Sequence, residues 1–65
     1  MITISRMGFK VEIDSFFSDK QDNSIYVLTK TLQQSKQLEE RLRKGLKEGK
    51  NFEWCINTLK GTQSD

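Results

Sequence analysis

The sequence predicts a small α+β domain in the order β-β-α-β, with one amphipathic helix covering one face of a three-stranded, antiparallel-type sheet. Apolar and polar residues alternate at 2–13 and at 51–60, which is the period of a strand, and residues 25–29 are β-branched, aromatic or leucine, which also favours a strand. Leucines and small residues recur at three- and four-residue steps over 31–48, which is the period of a helix. One helix covers one side of such a sheet, so the other side is expected to face water or a partner.

The first segment, residues 2–13, is interpreted as a single bulged strand. Its apolar residues occupy even positions before Gly8 and odd positions after it, so an extra residue must be accommodated if both groups face one core. Glycine tolerates positive φ, which makes Gly8 a natural place for a bulge. The alternative is a tight turn at Met7-Gly8, which would make residues 2–6 a separate strand. The bulge is preferred because Met-Gly is a poor hairpin turn.

A polar segment separates the first strand from the second. Ser18–Ser24 contains no apolar residue and is rich in Asp, Asn and Ser, so it is predicted to be a surface loop. Residues 25–29 are β-branched or aromatic and are predicted to form the second strand. The short connection makes this strand antiparallel to the first.

The helix is predicted from Thr31 to Glu48. Thr31 and Gln34 fit a capping box, in which the two side chains satisfy the free amides at the start of a helix. Gly49 fits a C-terminal cap. The side expected to face the sheet carries four leucines and three small residues: Leu32, Leu38, Leu42 and Leu46 with Ser35, Gly45 and Gly49.

Asn51–Lys60 is predicted to be the third strand, because Phe52, Trp54 and Ile56 fall on one face at period two. The aromatic side chains of Phe9, Phe52 and Trp54 are expected to form the core under the helix. Residues 1–60 then make one domain, and 61–65 are expected to be a polar tail.

Composition limits the possible functions. The chain has 65 residues, one cysteine and no histidine, so an internal disulfide is impossible and the commonest metal ligand is missing. A free thiol without an export signal favours a cytoplasmic location, and no apolar run is long enough to cross a membrane. Cys55 has no imidazole to activate it, and a chain this short has little room for a substrate pocket. We therefore expect no enzymatic activity, no cofactor and no small-molecule substrate.

A metal site is not expected either. Asp14, Asp19 and Asp22 lie close together in sequence, but the segment lacks the ligand order that surrounds a calcium ion. Acidic residues that form turns in a solvated loop account for all three.

Basic residues on the helix suggest one class of partner. Residues 30–50 carry seven Lys or Arg and three Glu, which gives a local charge of +4. Four of the basic residues fall on one flank of the helix and could follow phosphates: Lys36, Arg43, Lys47 and Lys50. A nucleic-acid-binding regulator is therefore the alternative functional hypothesis, beside the simpler interpretation of a solvated helix face.

Three aromatic residues suggest another class. Phe16 and Phe17 are adjacent in a strand, so they point to opposite faces and one lies off the core. With Tyr26 they form a candidate set of anchors for a protein partner or for a second copy of the chain. An uncovered sheet face and open edge strands favour the same conclusion.

The leading hypothesis is a small module that binds another protein, either alone or as a homodimer. It would act stoichiometrically, by masking a surface of that protein. This mode of action resembles that of small inhibitors encoded by phages and other mobile elements, including anti-defence proteins and antitoxins. The resemblance is one of size and architecture.

Overall fold

The structure, a computed structural model, describes residues 1–63. Three strands are followed by two helices: β1 (Ile2–Met7), β2 (Lys10–Phe17), β3 (Lys20–Leu28), α1 (Leu32–Lys47) and α2 (Phe52–Gln63). The sheet is antiparallel with the order β1-β2-β3. The predicted α+β class and three-stranded antiparallel sheet are therefore confirmed, whereas the order β-β-α-β and the single helix are wrong.

The predicted bulged strand over 2–13 is two strands joined by a tight turn. Met7 pairs with Lys10, and Gly8 adopts a φ of 61° between them. A positive φ at the first central position only is the pattern of a type II′ turn, which suits a hairpin. The two central residues are Gly8 and Phe9 rather than Met-Gly, and the change of parity along the sequence arises because the chain reverses direction there.

The second hairpin replaces most of the predicted loop at Ser18–Ser24. Phe17 pairs with Lys20, and both Ser18 and Asp19 have positive φ, at 51° and 65°, as in a type I′ turn. The rest of the predicted loop belongs to β3. Its residues are exposed, so the alternation of apolar and polar residues that marks a half-buried strand is missing from this part of the sequence.

Helix α1 agrees with the prediction at both ends. The Thr31 hydroxyl accepts a hydrogen bond from the Gln34 amide at 3.0 Å, and the Gln34 side chain accepts one from the Lys30 amide at 3.0 Å. At the other end Gly49 has a φ of 95°. Its amide bonds to the Leu46 carbonyl and the Lys50 amide bonds to the Gly45 carbonyl, which together make a Schellman motif.

The predicted third strand at Asn51–Lys60 is helix α2. The Asn51 side chain accepts a hydrogen bond from the Trp54 amide at 2.9 Å, which caps the helix. Cys55 and Leu59, four residues apart, are both fully buried. The helix continues to Gln63, so it includes the first residues of the predicted tail, whereas Ser64 and Asp65 lie outside the described residues.

The core lies between one face of the sheet and both helices. It contains Ile4, Val11, Ile13 and Val27 from the strands, with Leu38 and Leu42 from α1 and Cys55 and Leu59 from α2. Phe52 and Trp54 pack against this core, as expected, but in partly buried positions and from a helix instead of a strand. The expected core role of Phe9 is wrong, because Phe9 lies in the first turn and is exposed.

Candidate protein-binding surface

The face of the sheet opposite the helices is uncovered, and we call it the outer face. Two cross-strand rows define it, Met7–Lys10–Leu28 and Ser5–Glu12–Tyr26. These residues alternate along each strand with the buried ones, so they must lie on the other side of the sheet. A third row, Thr3–Asp14–Ser24, continues the same face towards the second turn.

The apolar part of the outer face lies near the first turn. Met7 is 82% exposed, Leu28 64% and Tyr26 56%. The Lys10 Nζ lies 4.8 Å from the centroid of the Tyr26 ring, a cation–π contact. A contact of this kind restricts the rotamers of the ring, which lowers the entropy that the ring would lose on binding a partner.

The charged part of the outer face is mainly acidic. Glu12 and Asp14 follow one another on this side of β2. The Ser24 hydroxyl donates a hydrogen bond to Glu12 Oε2 at 3.2 Å, which links β2 to β3. The outer face therefore places exposed apolar side chains beside a positive charge at one end and carboxylates further along.

The structure does not bring the three predicted aromatic residues together. Tyr26 is paired with Glu12, which precedes Phe16 by four residues along β2, or roughly 13 Å at the rise of a strand. Phe17 is 75% exposed beside the second turn, and Phe16 is half-buried. Only Tyr26 of the three belongs to the two rows that define the outer face.

Met7 and Leu28 were missed as candidate contact residues. Met7 follows from the turn at Gly8-Phe9, since a hairpin there places it beside Lys10. Leu28 follows from its alternation with the buried Val27 along β3, which places it in the same row. The alternative of a turn near Gly8 contained this signal, because it separates Met7 from the strand that follows.

The predicted basic flank of α1 is interrupted by a network of ion pairs. Lys36, Lys47 and Lys50 are exposed. Arg43 instead donates from Nη2 to Glu39 Oε2 at 3.1 Å and to the Ile4 carbonyl oxygen at 3.0 Å. One of the four predicted cations is therefore bound to a carboxylate and to β1.

Glu39 also binds β1 through a second arginine. Arg6 Nε donates to Glu39 Oε1 at 3.2 Å. The hydrogen bond from Arg43, and then that from Arg6, outweigh partial burial and hold the pKa of Glu39 below its ordinary value. A carboxylate that stays ionised therefore lies within the flank that was predicted to follow phosphates.

Two other features have little potential for chemistry. Cys55 is fully buried, and loss of solvation raises the pKa of its thiol, which disfavours the reactive thiolate. A groove of about 390 Å³ between α1 and α2 is lined by polar groups, with Arg41, Trp54 and Thr58 among them. The Thr58 hydroxyl is already bonded to the Trp54 carbonyl at 2.8 Å.

Residues 1–63 contain no cluster of three side chains of the types Cys, Asp and Glu that could hold a metal ion.

In the described part of the chain, neither α1 nor α2 combines the length and the apolar character that crossing a lipid bilayer requires. Comparisons of the chain with protein-family models, with curated proteins and with solved structures find no match in any of the three. The outer face therefore has to be interpreted from its own geometry.

Proposed function

We propose that this protein is a non-enzymatic binding module that acts stoichiometrically on another protein, which it contacts through the outer face. The observation that supports the proposal is the placement of both helices on one side of the sheet, which leaves Met7, Tyr26 and Leu28 exposed together on the other side.

The energetics favour such a contact. Full burial of a Met or Leu side chain contributes about 1.5–3 kcal/mol, and aromatic anchors dominate many protein interfaces. Lys10 and Glu12 lie beside Tyr26, so they supply opposite charges that can orient a partner. The partner expected from this chemistry presents an apolar surface bordered by charges of both signs.

The alternative, a nucleic-acid-binding regulator, is supported less well. Its proposed surface includes Glu39, and Arg43 is occupied by contacts within the protein. The remaining lysines have no exposed aromatic residue beside them on α1 for stacking with bases.

The test begins with capture of a partner from a lysate of the source organism, followed by reconstitution of the complex from purified proteins. Calorimetry then measures Kd for the wild type and for two variants on β1, Met7→Glu and Ser5→Arg. Each should weaken binding at least tenfold, because it places a charge or bulk on the outer face without changing the core. Lys47→Glu, on the exposed side of α1, is the matched control and should bind like the wild type.

The opposite pattern would overturn the proposal. If Lys47→Glu abolished the complex while both outer-face variants retained it, α1 would be the contact surface. Titration with random duplex and single-stranded oligonucleotides over a salt series tests the alternative directly. Micromolar binding that weakens steeply with salt would favour the nucleic-acid hypothesis.

A further inference from the structure

Strand β3 has one open edge, and the hydrogen bonds show which of its residues face outwards. The sheet order β1-β2-β3 leaves one side of β3 unpaired. The Thr29 amide donates to the Phe9 carbonyl at 2.8 Å, so Thr29 faces the neighbouring strand. Backbone groups alternate between the two sides of an antiparallel strand. The amides and carbonyls of Ser24, Tyr26 and Leu28 therefore point away from the sheet.

The opposite edge of the sheet is protected. On β1 the outward carbonyl of Ile4 accepts a hydrogen bond from Arg43 at 3.0 Å, and α1 packs against this strand. Arg6 adds a second positive charge through its ion pair with Glu39 at the same edge. A strand that paired with β1 would have to displace Arg43 from Ile4.

Within residues 1–63, no comparable device protects the second half of β3. Between Asp22 and Lys30 the chain carries no charged residue, and residues 25–29 are β-branched, aromatic or leucine. Proteins usually guard an exposed edge with charges, proline or a bulge. The irregularity in register lies at the other end of β3, where Ser15 is opposite Asn23 but Phe16 is opposite Gln21.

We propose that a second copy of this chain pairs with this edge, antiparallel along Ser24–Leu28, with a two-fold axis at Tyr26. The register places Tyr26 opposite the same residue of the second copy and Ser24 opposite its Leu28. The outward groups of these residues then form about six backbone hydrogen bonds. The uncharged segment places no like charges opposite each other.

This pairing closes on itself. Both copies use the same edge, and the β1 edges at the two ends of the resulting sheet are blocked by Arg43, so the product is a dimer and not a fibre. The axis is perpendicular to the sheet, which keeps all the helices on one side and joins the two outer faces. The dimer does not depend on the function proposed above, because its hydrogen bonds come from the backbone of the β3 edge and not from the side chains of the outer face.

The first measurement is molar mass in solution. Sedimentation equilibrium between 10 and 500 μM, roughly the range in which weak dimers form, should give a mass that rises from 7.6 kDa towards twice that value. A mass of one chain throughout this range would overturn the dimer and leave the binding of another protein by the outer face unaffected.

Cysteine cross-linking tests the register. Residues in a hydrogen-bonded antiparallel pair have Cα atoms about 5.5 Å apart, within the range that a disulfide spans. Under mild oxidation Tyr26→Cys should therefore form a covalent dimer rapidly, and Cys55 does not compete because it is buried. Met7→Cys, exposed on the outer face, is the control. Equal rates for the two variants would overturn the proposed pairing.

A backbone substitution separates the edge from the outer face. Tyr26→Pro removes an amide that points away from the sheet together with the ring, whereas Tyr26→Ala removes the ring alone. Both should retain the fold, as judged by circular dichroism, but only Tyr26→Pro should lose the dimer. Ser5→Arg should remain dimeric, because it changes only the outer face. Loss of the dimer in Ser5→Arg with its retention in Tyr26→Pro would indicate association through the outer face and would overturn the edge pairing.

Discussion

The Trp54 ring occupies the space beside the Gly45 backbone that a side chain at position 45 would need. A Cβ added at Gly45 would overlap the ring atoms Cζ3 and Cη2 of Trp54. Gly45 is buried within α1, where glycine costs about 1 kcal/mol of helix propensity relative to alanine. The absence of a side chain at this residue therefore allows α2 to pack closely against α1.

We predict that Gly45→Ala lowers the free energy of unfolding by about 1–2 kcal/mol, because the overlap with Trp54 outweighs the gain in helix propensity. Denaturation by urea measures the change. In a Trp54→Ala background the same substitution should stabilise the protein, since the ring atoms that the added Cβ would overlap are then absent. Gly61→Ala, in α2 with no atom within 4 Å of an added Cβ, is the control and should not destabilise. Stabilisation by Gly45→Ala in the presence of Trp54 would contradict this account.

At the scale of elements, the turn between β2 and β3 places two ordinary residues in the left-handed region. Ser18 and Asp19 have φ values of 51° and 65°. This conformation costs an L-residue other than glycine about 1–2 kcal/mol, with Asn and Asp tolerating it best. The hairpin forms because the turn matches the twist of the strands on either side of it.

The double substitution Ser18→Asn with Asp19→Gly should therefore stabilise the protein by about 0.5–1 kcal/mol, because Asn-Gly is the preferred sequence for a type I′ turn. Thermal unfolding followed by circular dichroism would show a higher Tm. Asn23→Gly, which adds a glycine within β3, is the control and should destabilise by about 0.5–1 kcal/mol. An unchanged or lower Tm for the double variant would argue against the left-handed turn.

At the scale of the whole molecule, an ion-pair network joins the first strand to the first helix. Glu39 on α1 accepts hydrogen bonds from Arg6 of β1 and from Arg43, which also binds the Ile4 carbonyl. The contacts of Arg6 with Glu39 and of Arg43 with Ile4 connect residues more than 30 positions apart. The network therefore helps to fix the position of α1 over the sheet and closes the β1 edge at the same time.

The pKa of Glu39 makes this link depend on pH. The pKa is lower in the folded protein than in the unfolded chain. At a pH near the ordinary pKa of a glutamate, about 4, the folded state therefore binds fewer protons than the unfolded chain does. The contribution of Glu39 to stability is complete above the unfolded pKa and is lost as the pH falls through the folded value. Glu39→Gln should thus cost about 1 kcal/mol at pH 7, and the cost should decrease as the pH falls below the ordinary pKa of a glutamate.

Urea denaturation of both proteins at several pH values between 3 and 7 measures this difference. Glu40→Gln changes an exposed charge on the same helix, and its effect should not vary with pH in this way. A constant difference between wild type and Glu39→Gln across the range would contradict the role of Glu39.

Part of the candidate site could be predicted from the sequence, because it depends on the propensity of a short segment to form a strand. Tyr26 lies in a segment whose strand propensity is strong, and its exposure on a half-covered sheet was expected. Met7 could not be placed, because its position on the outer face depends on the turn at Gly8-Phe9. The exposure of Leu28, by contrast, follows from its alternation with the buried Val27 along β3. The pairing of Arg43 with Glu39 follows from their spacing of four residues along α1. The bond from Arg43 to the Ile4 carbonyl joins α1 to β1, so no spacing along α1 reveals it.

The same distinction applies to the fold. The sequence by itself determined α1, since its period, its Thr31 cap and its Gly49 terminator are all local signals. It also determined the pairing of residues 25–28 with β2. Only the tertiary structure decided that Phe52–Gln63 is a helix, because the segment is short and its apolar residues fit both periods. Packing of Cys55 and Leu59 against a core supplied by distant residues selects the helix, and this selection leaves the outer face and the β3 edge uncovered.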